Sequence, residues 1–278
     1  MVGRPNDVER KYHYTHMPFD DHQPEQLPAR SDGLPTLSVV VPAFNEAGIL
    51  EACLESLLAM DDPAEEIIVV DNSSTDDSAA IAASFPTVRV LGEARQGITY
   101  ARTTGFDAAR GELIARIDAD SRVTRNWATL IRQRLAPGSG LDAVGGGAAI
   151  AELSPAAFFW FSVWYRGFRW WHQRSIGVRP MIYGFNGAMR TSAWWQAREL
   201  VAMDDQQVSE DLDLTIALLR SGHRLAFEPR LLVKAHLFRS IDREKLERYY
   251  RTDSLTLARH CYGNPKRRAA LEAEASAQ

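Results

Sequence analysis

Through Ser121 the chain alternates between two rhythms. Short, nearly continuous apolar runs occur at Leu37–Val41, Glu66–Val70, Val88–Leu91 and Leu113–Ile117, the pattern of strands buried on both faces. Between them apolar residues recur every three or four positions: Ile49, Leu50, Cys53, Leu54, Leu57 and Leu58 after the first run, SAAIAASF after the second, and Gly97–Arg110, stopped by Gly111, after the third. Those are amphipathic helices. Strands joined by crossovers of helical length pair in parallel, so the pattern predicts an α/β fold with a doubly wound, mostly parallel sheet and helices on both faces.

The second half is less regular. Asn126–Leu135 reads as a helix, Ala143–Ile150 as a strand weakened by three glycines, and Tyr183–Arg190 as a loop entering a strand. Ser209–Arg220 is a helix with Ser209 as N-cap, Leu212, Ile216 and Leu219 inward and Gly222 as terminator. Arg224–Glu228 and Leu231–Ala235 read as two short strands, Asp242–Leu257 as a last helix. Residues 1–35, punctuated by Pro5, Pro18, Pro24, Pro28 and Pro35, form an arm of low order. The expected layout is one domain over 36–240, split into two halves at 122/123, with a C-terminal helix and tail over 241–278.

Composition narrows the class. With 278 residues, 45% hydrophobic and 24% charged, the chain has ordinary globular proportions. A net charge of -4 lacks the basic footprint of a nucleic-acid binder. Cys53 and Cys261 cannot build a disulfide framework. With no apolar run long enough for a bilayer and no signal-like N-terminus, the expected location is cytoplasmic. One stretch modifies this: 158–171, FFWFSVWYRGFRWW, is aromatic and interrupted by Arg166 and Arg169. It suits a peripheral contact at the inner face of a membrane, a buried helix or an oligomer contact.

Chemistry gathers where strands end. Asp118 and Asp120 follow the fourth run, Asp71 the second and Glu46 the first, while Glu210 and Asp211 open a helix. Parallel strands share one C-terminal edge, which brings these acids together. Two adjacent carboxylates suit Mn²⁺ or Mg²⁺ shared with substrate phosphates. An Asp-x-Asp turn and acids that complement helix dipoles are the plainer readings.

The segments SVVVPAFNEAGILEACLESL, EIIVVDNSSTDDS, RQGITYARTTGFDAARGELIARIDADS and SEDLDLTIALLRSGHRLAFEP, spanning Leu37 to Pro229, together resemble the family 2 nucleotide-sugar glycosyltransferases of the GT-A fold. The resemblance implies that Pro42, Ala43, Phe44 and Glu46 line the nucleotide base and ribose, that Asp71 bonds the base, and that Gly97 and Arg102 border the diphosphate. It assigns Asp118 to the donor, Asp120 to the divalent metal and Asp211 to the catalytic base of an inverting reaction. Glu210, Asn186 and Trp164 fall on the acceptor side, where the tryptophans of 151–195 either stack on sugars, meet a lipid-linked acceptor or pack in the core. His236 is a metal ligand or diphosphate contact, or a histidine at a strand end with no ligand. Thr103 stands where the family often has Asn, and Asn72-Ser73-Ser74 where it has Asp-Gly-Ser. The Gln-x-x-Arg-Trp signature of processive synthases is missing, which implies transfer of single sugars, from UDP-sugar or else GDP-mannose, to a glycan or lipid-linked hydroxyl. A nucleotide-sugar-binding protein without turnover is one alternative. A nucleotidyltransferase is the other, although PAFNEAG lacks the basic loop such enzymes place after the first strand.

Overall fold

The structure is a computed structural model that describes residues 23–150, 155–202, 208–235 and 243–260. Its elements are β1 (Leu37–Ala43), α1 (Leu50–Leu58), β2 (Glu66–Asp71), α2 (Ser78–Ala83), β3 (Val88–Gly92), α3 (Ile98–Ala108), β4 (Leu113–Ile117), β5 (Arg122–Val123), α4 (Trp127–Arg134), β6 (Ala143–Ile150), α5 (Pro155–Ile176), β7 (Asn186–Arg190), α6 (Thr191–Ala197) with a 3-10 turn at Arg198–Leu200, α7 (Glu210–Arg220), β8 (Leu225–Ala235) and α8 (Arg243–Arg259). They build one eight-stranded sheet in the order β3-β2-β1-β4-β7-β6-β8-β5.

The first four strands are parallel, with Val40 opposite both Ile68 and Arg116. Side chains on a strand point alternately up and down, and that alternation sorts the core. Val39, Val41, Val69, Ala115 and Ile117 pack with Leu50, Leu54, Leu57, Trp127 and Ile131 on one face. Val40, Ile68, Val70 and Ile114 pack with Phe106, Trp194, Leu214 and Leu218 on the other. Helices on both faces explain why these strands show no polar alternation.

Past β4 the sheet turns mixed but stays mostly parallel, with β7 and β5 running against the other six strands. β7 enters beside the C-terminal end of β4, Asn186 against Ile117, and must run back along it to pair Arg190 with Leu113. β6 is antiparallel to β7, β8 parallel to β6, and β5 antiparallel to β8. The two short strands expected over 224–235 are one strand. Its ladder to β6 jumps from Gly145–Phe227 to Gly147–Leu232, a bulge around Pro229, which has no N–H to donate. Glu228 accepts from the Arg230 backbone N at 3.0 Å and Nε at 2.9 Å within it.

Residues 1–22 of the expected arm lie outside the described residues. The remainder runs against the body: Leu27 N donates to Arg110 O at 2.9 Å, and Arg30 pairs with Glu65 at 2.5 Å. At the other end α8 docks on α7. His260 Nε2 lies 2.8 Å from Asp213 Oδ1, both buried, and Thr256 Oγ1 accepts Ser209 N at 2.8 Å. Ser209 holds the N-cap position, but its side chain makes no capping bond.

Candidate functional site

The C-terminal ends of β1, β2 and β4 open onto a cleft of about 670 Å³. Pro42, Ala43, Phe44 and Glu46 line one wall, with Phe44 44% exposed. The loops behind them are held in a rare backbone state. Asn45 (φ 56) and Ser73 (φ 63) are left-handed without being glycine, a conformation that persists only where surrounding bonds enforce it. Asn45 Oδ1 accepts Thr75 N at 2.8 Å, and Ser73 Oγ donates to Glu93 O at 3.1 Å.

Asp71 sits behind this wall, buried at the end of β2, where its Oδ1 accepts Ser74 N at 3.3 Å. Its neighbour Asn72 lines the cleft instead. The Asn72 amide donates to Glu93 O and Arg95 O, at 3.1 and 2.7 Å, and accepts Gly97 N at 2.8 Å. It therefore sets Gly97, whose φ of 146 a side-chain-bearing residue rarely adopts, at the start of α3.

Across the cleft floor runs a cluster of charges. Arg102, from α3, reaches Asp118 Oδ1 at 2.5 Å, Asp211 Oδ1 at 3.2 Å, and Glu210 Oε2. Arg116, next to the C-terminal end of β4, reaches Glu210 Oε1 at 2.5 Å and Asp211 Oδ1 at 3.3 Å, and donates to Ile182 O. Burial pulls the Arg116 guanidinium down to about 10, a shift opposed by Asp211 and Asp118 and reinforced by Arg102. Gly184 makes the packing possible: a Cβ there would collide with Asp211 Oδ1 and both terminal nitrogens of Arg102.

Three of the expected site residues have partners within the protein itself. The guanidinium of Arg102, expected at the diphosphate, is engaged by three carboxylates, so it ties the donor side to α7. Glu210, expected toward the acceptor, has a side chain only 11% exposed and spent on the two arginines. Asn186 is fully buried inside the sheet, where Oδ1 accepts Trp127 Nε1 at 2.9 Å and Nδ2 donates to Gly147 O and Leu231 O at 2.8 Å. Its amide is a clamp between strands. The Trp164 side chain and His236 lie outside the described residues. Arg116, Gly184 and Thr252, which also lines the cleft, escaped the sequence reading, and Asn72 entered it only as a departure from the family pattern. Only Arg116 left a signal there: a lone charge within LIARI, which burial obliges to find an acid.

Among the described residues no three of His, Cys, Asp and Glu gather into a metal cluster. The carboxylates nevertheless fit a divalent cation of the kind that takes one or two protein oxygens and completes its shell with phosphates and water. Asp118 and Asp120 both face the cleft, and around them two guanidiniums confront Asp118, Glu210 and Asp211, leaving the floor short of positive charge before Asp120 is counted.

The model of the family "Glycosyl transferase family 2" matches residues 38–152. An uncharacterized glycosyltransferase, YibD, from Escherichia coli is 38% identical over 91 residues, covering 31% of this chain and 26% of its own length. Glycosyltransferase AglE from Haloferax volcanii is 32% identical over 120 residues, covering 41% and 39%. The chain thus spans well under half the length of these relatives. Among solved structures, mannosyltransferase PcManGT from Pyrobaculum calidifontis, in complex with GDP-Man and Mn²⁺, superposes with a TM-score of 0.62 at 22% identity, covering 91% of this chain and 72% of that one. Glucosyl-3-phosphoglycerate synthase from Mycobacterium tuberculosis superposes with a TM-score of 0.57 at 19% identity, covering 83% and 82%. Sequence match and fold agree: residues 38–152 match glycosyl transferase family 2, and the chain shares the fold of these glycosyltransferases.

Proposed function

We propose that the protein transfers single sugars from a nucleoside-diphosphate donor to a hydroxyl of a glycan or lipid-linked acceptor, with inversion at the anomeric carbon. The observation that carries this reading is the sharing of Arg102 between Asp118, at 2.5 Å, and Asp211, at 3.2 Å, across one cleft. The donor's base and ribose lie along Pro42, Ala43, Phe44 and Glu46, and its diphosphate lies between Gly97 and Asp118. Mn²⁺ or Mg²⁺ held by Asp118 and Asp120 would supply Lewis-acid stabilisation of the departing diphosphate. Asp211 accepts the proton of the attacking hydroxyl as general base. A single base and in-line attack give inversion. UDP-sugar is the preferred donor and GDP-mannose the second; the neighbours named above include one bound to GDP-Man, and the mycobacterial synthase has been crystallised with UDP-glucose.

The test separates binding from turnover. A thermal-shift screen of nucleotide sugars with Mn²⁺ identifies the donor, and calorimetry then compares its affinity for wild type and Asp211→Asn. Transfer by Asp211→Asn should fall by about 10²-fold or more while donor affinity changes little. Turnover near the wild-type rate would remove Asp211 from the base role, and release of pyrophosphate from a nucleoside triphosphate would replace the reading with nucleotidyl transfer.

A further inference from the structure

Helix α5 turns one stripe to solvent. Among its described side chains Trp160, Val163, Arg166, Gly167, Trp170, Trp171 and Arg174 are exposed, three or four residues apart except for the adjacent pairs Arg166–Gly167 and Trp170–Trp171. Trp160 is 69% exposed, Trp170 and Trp171 59% each and Val163 50%, which makes them the four most exposed large apolar side chains among the described residues. Solvent-facing tryptophans in such a row mark a surface that meets something.

The opposite side of the helix is fastened to the body. Arg169 is buried, its guanidinium 3.4 Å from the centre of the Phe227 ring and 5.3 Å from that of Tyr183. Gln173 and Ile176 are buried one and two turns on. The outward face is therefore a held surface.

Its charge selects the partner. Residues 155–180 contain four arginines and no aspartate, glutamate or lysine, within a chain of net charge -4. Arg166, Arg174 and Arg179 are exposed, and the last two lie 5.8 and 6.0 Å from the centre of the Trp170 ring. A second copy seated face to face would set arginine against arginine with no acid on the stripe to compensate. Lipid phosphates supply the missing negative charge, and indole rings favour the headgroup level. No helix among the described residues is long and apolar enough to cross a membrane, so the geometry suits lying on the surface.

We propose that α5 is an interfacial helix that seats this protein on an anionic lipid bilayer. On its body-facing side the helix meets α8, where His172 Nε2 lies 3.3 Å from Asp253 Oδ2, next to Thr252 on the cleft wall. The inference stands whether or not the protein transfers sugars.

The experiment is flotation of the full chain with vesicles of phosphatidylcholine alone or mixed with phosphatidylglycerol. Partition is expected on the mixed vesicles, about tenfold or more above the neutral ones, and to weaken as salt rises. Arg166→Gln/Arg174→Gln should lower it about 30-fold. Brominated lipids should quench wild-type tryptophan fluorescence more than that of Trp170→Ser/Trp171→Ser. Circular dichroism melts check that the variants fold; if the tryptophan pair unfolds, the arginine pair and the lipid dependence of wild type still decide. Equal partition on both lipids, or none, overturns the proposal. So does a dimer in sedimentation velocity that the tryptophan variant dissociates, which would make the face a self-interface.

Discussion

Asp211 Oδ1 receives Arg102 at 3.2 Å and Arg116 at 3.3 Å, so one oxygen of the proposed base is held by guanidiniums from α3 and β4. Arg116 is 2% exposed, and removing one partner from a buried charge cluster strands the others in low dielectric. Arg116→Met should therefore lower stability by about 3–5 kcal/mol in urea denaturation. Arg116→Lys keeps the charge but loses the planar fork. It should unfold at a higher urea concentration than Arg116→Met, yet turn over more slowly than wild type.

Gly184 carries a different sensitivity. A methyl group there meets Asp211 Oδ1 and the Arg102 nitrogens, and the flexible ends of those side chains can yield where backbone could not. Gly184→Ala should cost about 1–3 kcal/mol of stability and depress kcat more than it raises KM for the donor. An unchanged kcat would show that the Asp211 position is not what limits turnover.

Asn186 is expected to matter for the sheet alone. Asn186→Ala leaves Trp127 Nε1 and the Gly147 and Leu231 carbonyls without their partner, each loss costing about 1–3 kcal/mol if water cannot enter. Denaturation should show the deficit. Per folded molecule, kcat/KM should stay near wild type; a selective loss of acceptor affinity would return Asn186 to the acceptor side.

Acid stability should depend on the opposite edge of the sheet. At Glu66 burial favours the neutral acid, but bonds from Ser38 at 2.6 Å, Arg110 N at 2.9 Å and Arg110 Nε at 2.9 Å more than offset it, holding the carboxyl below its ordinary 4.5. The unfolded chain then binds more protons than the folded one between the two values. This contribution is accordingly complete above pH 4.5 and lost as pH falls through the folded value. Glu66→Gln should lower stability at pH 7 and flatten its decline below pH 4.5, read by thermal melts across that range.

Metal dependence isolates Asp120. Nucleotide affinity should rise with Mn²⁺ for wild type and fall to the metal-free value in Asp120→Asn, measured by calorimetry with and without chelator. Undiminished Mn²⁺-dependent affinity in the variant would exclude Asp120 as a ligand.

The order of strands and helices through β4 was legible in the sequence because it is local: two-sided burial writes continuous apolar runs, and amphipathic helices write a repeat near 3.6. The placement of Asp118, Asp120 and Glu46 along one edge followed from that order, since parallel strands end on the same side. Only the tertiary structure decided the direction of β7, the unity of β8 across Pro229, the partners of Arg116 and the burial of Asn186. Those depend on which distant segments meet and on which polar groups lose water, and a local pattern of hydrophobicity records neither. Even the aromatic run, plain in the sequence, became a surface only when the fold buried Arg169 and turned Trp160, Trp170 and Trp171 outward.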